Sequence, residues 1–177
     1  MKFEKLTMEN LGRMDTPEFK ESNKLPVIIV LDNLRSAHNI GSIFRTCDAF
    51  RVEAIYLIGI CAIPPQKELM KTALGATETV VWRHFENCNE ALLLLKKDNY
   101  FIAAVEQTNQ SILLQNFIPQ SKTAFVFGNE VNGVSNEALE FCDASVEIPQ
   151  FGTKHSFNVS ITAGIILWDT YNKTKTL

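Results

Sequence analysis

The pattern of apolar and polar positions tightens abruptly near residue 26. Residues 1–25 mix charges with Pro17 and carry no sustained apolar period, which predicts an N-terminal arm with one short helix. Pro26 to Leu31 (PVIIVL) is then a continuous apolar run rich in β-branched residues, as expected of a strand buried on both faces. Ile40, Ile43, Phe44, Cys47 and Phe50 follow at helical spacing and predict a helix starting near His38 or Asn39. Further strands are predicted at 54–60, 80–82, 100–106, 124–128 and 144–148, with helices around 86–97 and 135–142. Strands alternating with helices predict an α/β fold, a mostly parallel sheet with helices on both faces. The last element, about 158–171, sets Ile161, Ile165, Trp168 and Thr162, Ile166, Asp169 in rows and is expected to turn an apolar inner side to the sheet.

At 177 residues the chain suffices for one well-buried core and is too short for two ordinary domains, so the expected division is an arm at 1–25 and a single domain at 26–177. The net charge of −3 argues against gripping a polyanion by bulk attraction. A nucleic acid would need a local basic patch, or two chains pooling their basic residues. Cys47, Cys61, Cys88 and Cys142 form no C-x-x-C pair and lie in or beside apolar stretches, which suits reduced thiols of a cytoplasmic protein. The N-terminus is charged, and no run approaches the roughly 18 apolar residues of a membrane span.

Three segments break their local patterns where function is expected, beyond the carboxyl ends of strands or at the helix that follows. In LDNLRSAHNIGSIFRTCDAF (31–50), Asn39 is placed to cap the helix, Gly41 allows close backbone approach, and Ser42, Arg45 and Asp48 flank the apolar stripe. Taken alone, the segment also suits a capped helix with a solvated Arg45. In AFVFGNEVNGVSNEAL (124–139) a strand runs into Gly128, Asn129 and Glu130, then Asn132, Gly133 and an N-cap at Ser135. The two glycines suit a loop wrapped round a flat or extended ligand, or a tight turn. In IPQFGTKHSFNVSITAGIILW (148–168), Ser156, Asn158 and Ser160 cluster where the last helix begins, a place for an anion or simply for a cap. His38, His84 and His155 are isolated from one another and from the cysteines at ligand spacing, so no metal is expected, and no G-x-S-x-G elbow is present.

In order and spacing, NIGSIFRT, FVFGNEVNGVS and IPQFGTKHSFNVSITAGI resemble the three motifs of the SpoU (TrmH-like) RNA 2′-O-methyltransferases of the SPOUT class, over about residues 26–170. The resemblance implies methyl transfer from S-adenosylmethionine to a ribose 2′-hydroxyl in tRNA or rRNA, by a homodimer with sites at its interface; tRNA is favoured over rRNA because a small stand-alone dimer suits a compact substrate. It also implies a C-terminal trefoil knot, which general topology rules would not propose. Carried over by position, Asn39 and Arg45 match the first motif's Asn and Arg, Glu130 the second motif's acid, and Ser156 and Asn158 the third motif's polar pair. The cofactor would touch Gly128, Ile148 and Phe157, with Glu106 as a further contact. Larger relatives carry a separate RNA-binding domain. Substrate choice is expected to rest on the dimer surface, the arm and the residues after Tyr171.

The resemblance gives the Arg45 position the role of general base, yet a guanidinium is permanently charged at working pH. Positioning and stabilisation of a developing alkoxide suit it better. His155, beside Ser156, is the local alternative base. Two rival readings are a SPOUT-fold module that binds RNA or S-adenosylmethionine without turnover, and a small reductase or kinase. The latter lacks the phosphate-loop motifs.

Overall fold

Alternate residues of the PVIIVL run serve opposite faces of one sheet. Ile29 and Leu31 enter a core cluster on one side, Ile28 and Val30 a second cluster on the other. That two-sided burial is why the run shows no polar alternation. The computed structural model describes residues 3–7 and 9–174; residues 1, 2, 8 and 175–177, which belong to the expected arm and the end of the expected domain, lie outside the described residues.

Seven strands form the sheet: β1 (Leu25–Asp32), β2 (Val52–Ile58), β3 (Val81–Phe85), β4 (Phe101–Val105), β5 (Ile112–Leu113), β6 (Thr123–Phe127) and β7 (Ala144–Glu147). They lie in the order β3-β2-β1-β6-β4-β7-β5, every pairing parallel. Helices cover both faces. One cluster takes side chains from α1 (Thr16–Glu21), α2 (Ala37–Ala49), α3 (Lys67–Ala73), α4 (Ala76–Thr79) and α7 (Val159–Thr174); the other takes them from α5 (Cys88–Lys97) and α6 (Asn136–Leu139). The expected short N-terminal helix is α1, capped by Asp15 and anchored by buried Phe19.

Several boundaries differ from the sequence pattern, each for a local reason. Ser36, not Asn39, caps α2: its backbone is extended and its hydroxyl accepts the Asn39 N–H at 3.2 Å. β2 stops at Ile58 because Gly59 turns with φ +61°. The helix expected over 135–142 is the single turn α6, entered through the Ser135 cap as expected. Between 61 and 79 the pattern gives no element, yet α3 and α4 form there, and α3 lies so close to α2 that a Cβ on Gly41 would sit 2.2 Å from the Leu69 carbonyl oxygen. α7 also departs from its expected inner row: Ala163, Ile166, Leu167 and Thr170 are buried, while Ile161 and Trp168 are 55% and 57% exposed. Its amphipathicity is weak, so periodicity alone could not choose the buried side.

The order of the strands constrains the path of the chain. Residues 106–122 leave β4, reach β5 at the sheet edge and return to β6 on the opposite flank of β4; β7 is then inserted between β4 and β5. α7 is fastened to this same segment. Lys173 Nζ donates to the carbonyls of Leu114 (2.6 Å) and Phe117 (2.9 Å) and pairs with Asp169 at 2.7 Å. Lys173→Met keeps the apolar stem but leaves these acceptors without their cation. A loss of about 2–3 kcal/mol is expected, read by denaturant unfolding as a lower midpoint at unchanged slope. An unchanged midpoint would show that water replaces the ammonium at no cost.

Candidate functional site

The carboxyl ends of β4, β6 and β7 open into a cleft of about 790 Å³, closed at its rim by residues 156–159 at the start of α7. Its central wall is the loop that follows β6. Gly128 enters this loop with no room for a side chain: a Cβ there would lie 1.9 Å from the Gly133 carbonyl carbon and 2.0 Å from the Val134 nitrogen. The loop closes on itself through paired backbone bonds between Asn129 and Gly133, both 2.9 Å, with Gly133 at φ +68°. Asn129 stiffens it from within, its Oδ1 accepting the Val131 and Asn132 N–H groups and its Nδ2 donating to the Asn33 carbonyl.

Two carboxylates brace the loop from outside. Glu106 accepts the Val134 N–H at 3.0 Å and the Gln107 N–H at 2.9 Å, and buried Asp32 accepts the Ser135 N–H at 2.9 Å. Glu106, expected as a ligand contact, therefore lines the cleft while also fixing its wall.

Glu130 reaches away from the loop to the start of α2. Its carboxylate accepts the N–H groups of Arg35 and Ser36, both at 3.1 Å, and the Asn39 side-chain amide at 3.4 Å. Desolvation alone would raise this carboxyl. The N–H donors, its own among them, outweigh that and hold it below the ordinary carboxylate range. The clamp is thus intact above the usual carboxylate pKa and is released only as pH falls through the depressed one. Asn39 continues the connection, its Oδ1 accepting from Asn158 Nδ2 at 3.1 Å, while Asn158 Oδ1 accepts the Ser160 N–H. Residues 39, 130 and 158, remote in sequence, form one hydrogen-bonded chain along the rim.

The other expected residues fall into two groups. Gly128, Ile148, Ser156 and Phe157 line the cleft, and the Ser156 hydroxyl has no hydrogen-bond partner among the described residues. Arg45 is not part of the cleft: it is exposed on α2, and its guanidinium makes no ion pair or hydrogen bond among the described residues. The His155 ring also lies outside the lining; it is the His155 carbonyl that matters, taking the side-chain amides of Gln107 (3.0 Å) and Gln150 (3.3 Å). The sequence reading misses Gln107, although it directly follows the β4 run. The bracing role of Asp32 has no sequence signal, because it ends an apolar strand like any boundary residue.

Burial pushes the Cys61 thiol up to about 11 and raises Cys47 as well, so neither is a nucleophile near neutral pH. Among the described residues no group of three His, Cys, Asp or Glu side chains could hold a metal ion, and no helix is long and apolar enough to cross a membrane.

Residues 26–168 match the SpoU rRNA Methylase family. The chain is 35% identical over 145 residues to a 23S rRNA (guanosine-2′-O-)-methyltransferase RlmB of Neisseria meningitidis, covering 82% of this chain and 58% of that one. It is 29% identical over 154 residues to a putative TrmH family tRNA/rRNA methyltransferase of Staphylococcus aureus, covering 87% and 62%. The chain thus spans about three fifths of the length of these curated relatives. Among solved structures, the A. aeolicus TrmH/SpoU tRNA modifying enzyme superposes with a TM-score of 0.80 at 29% identity, covering 89% of this chain and 79% of that one. The AdoMet complex of the SpoU methyltransferase AviRb from Streptomyces viridochromogenes superposes with a TM-score of 0.80 at 20% identity, covering 93% and 63%, a likeness of fold.

Proposed function

The chain belongs to the SpoU rRNA methylase family, and on that premise we propose that it transfers a methyl group from S-adenosylmethionine to a ribose 2′-hydroxyl of tRNA or rRNA, acting as a cytoplasmic homodimer. The observation that carries this reading is the rim chain Glu130–Asn39–Asn158, which joins all three sequence motifs at one cleft. The lining fits a nucleoside with a cationic sulfur. Ile148, Phe157 and Val146 supply apolar wall, the loop from Gly128 to Gly133 supplies backbone groups, and Glu106 and Glu130 supply negative charge. S-adenosylmethionine, when bound, supplies an already activated methyl group.

The chain's own residues then have three tasks. The braced loop orients the donor, which alone is worth several kcal/mol of barrier. The Ser156 hydroxyl is available to hydrogen-bond the acceptor ribose at the rim. Arg45, permanently charged, meets the RNA backbone and stabilises the negative charge developing on the 2′-oxygen as the sulfonium–methyl bond breaks; the hydroxyl proton passes to water at the exposed rim and S-adenosylhomocysteine leaves.

Exposed Arg45 and exposed Ile161 and Trp168 favour a two-chain site. Trp168 lies against Phe50 and Tyr171 at ring separations of 6.4 and 6.0 Å, so α2 and α7 together present an aromatic face suited to a second copy. Insertion of β7 between β4 and β5, with α7 fastened to the connecting segment, supports a C-terminal knot.

The test is transfer of radiolabelled methyl from S-adenosylmethionine to total tRNA and, separately, to rRNA, followed by nuclease digestion. Label on a ribose of either RNA is expected. Label on a base, or bound cofactor without any transfer, would defeat the reading.

A further inference from the structure

A second recess, of about 270 Å³, opens beside the cleft. The cleft lies over β6, β4 and β7; the recess lies over the ends of β1 and β2, across the 129–133 turn, and the two share Asn129, Asn132 and Gly133. Glu130 is the common rim, because its carboxylate sits on the backbone N–H of Arg35, which lines the recess. Ile60, also lining it, is 62% exposed with nothing covering it. The side chains of Arg35 and Asn132 have no hydrogen-bond or ion-pair partner among the described residues, whereas those of Asn33 and Asn129 are spent on the loops.

We propose that this recess receives the base of the nucleotide whose ribose is methylated, with Arg35 and Ile60 against its faces and Asn132 at its edge. The inference rests on the methyltransferase reading above. A base is attached one carbon from the reacting 2′-position, so a ribose presented at the Glu130 rim must place its base in a space contiguous with the cleft. The volume admits one flat heterocycle. Buried Asp32 lines the recess too, which disfavours a phosphate there and leaves the anionic backbone outside, where Arg35 is exposed. Guanidinium planes and apolar side chains stack on unpaired bases, and amides read their edges.

The experiment compares the wild-type chain with Arg35→Gln, Arg35→Lys and Ile60→Trp. S-adenosylmethionine affinity is measured by calorimetry, KM for the RNA by methyl transfer, and the labelled nucleoside by digestion. Filling the recess with Trp or removing the guanidinium is expected to raise KM for RNA about tenfold, or to spread label over more than one nucleoside, at unchanged cofactor affinity. Arg35→Lys should not restore the wild-type values, because an ammonium holds a phosphate without stacking on a base. If Lys restores them and Ile60→Trp behaves as wild type, Arg35 touches only backbone and the recess proposal is overturned, with the methyltransferase reading intact. If the wild-type chain labels no ribose, both fall, whatever the variants do.

Discussion

Gly128→Ala is expected to weaken S-adenosylmethionine binding by at least about 100-fold and to lower the melting temperature. The reason is geometric. The added methyl would sit 1.9–2.2 Å from three backbone atoms of Gly133 and Val134, and backbone cannot swing aside as a side chain would. Relief requires residues 129–134 to move, and that turn is tied by the Asn129–Gly133 backbone pair, by Glu106 at Val134 and by Asp32 at Ser135. Breaking such ties places the change at about 4 kcal/mol or more, among the severe single substitutions. Gly152→Ala is the control: its Cβ would meet nothing within 4 Å, so its stability and affinity should match wild type. Calorimetry on a Gly128→Ala protein that still elutes as folded separates loss of the site from loss of the fold. Wild-type affinity in that protein would mean that the loop is not a wall of the cofactor site.

Where each residue's surroundings are set by its own strand or turn, they are legible in the sequence. The uninterrupted apolarity of 26–31 announces a two-sided strand, and that strand lies beside β6 in the middle of the sheet. Gly128 and Gly133 announce a tight loop, and both are sterically required there. The failures have a common cause, namely contacts made across the fold. α3 owes its place to α2, through a close approach at Gly41 that 67–73 does not display. Trp168 and Ile161 read as core because apolar residues at helical spacing usually are, yet Ala163, Ile166 and Leu167 take the buried side. Asn39 stands where a cap is expected, but Ser36, three positions earlier, takes that role and frees the Asn39 amide for Glu130 and Asn158. The resemblance places Glu130, the second motif's acidic residue, among the catalytic residues. In the structure its carboxylate accepts three donors from the start of α2, contacts across the fold that tie the loop to the rim and that no single motif displays.

Arg45 poses the sharper question, since a residue assigned to the reaction stands outside its own chain's cleft. Arg45→Ala should leave S-adenosylmethionine affinity unchanged and cut methyl transfer about 100- to 1,000-fold, the usual cost of losing a group that stabilises a developing oxyanion. If the guanidinium serves the partner's cleft, two dead variants should rescue one another. A heterodimer of Arg45→Ala and Gly128→Ala has one site with the intact loop of the first chain and the intact Arg45 of the second; its other site lacks both. Random assortment of equal amounts makes half the dimers mixed, so about one quarter of wild-type activity should return on mixing. Recovery would place Arg45 across the interface formed by α2 and α7, and Trp168→Glu in both chains should then abolish it. No recovery from mixtures shown by mass to contain the heterodimer would return Arg45 to its own chain, and the exposed guanidinium would then need the RNA itself to draw it to the rim.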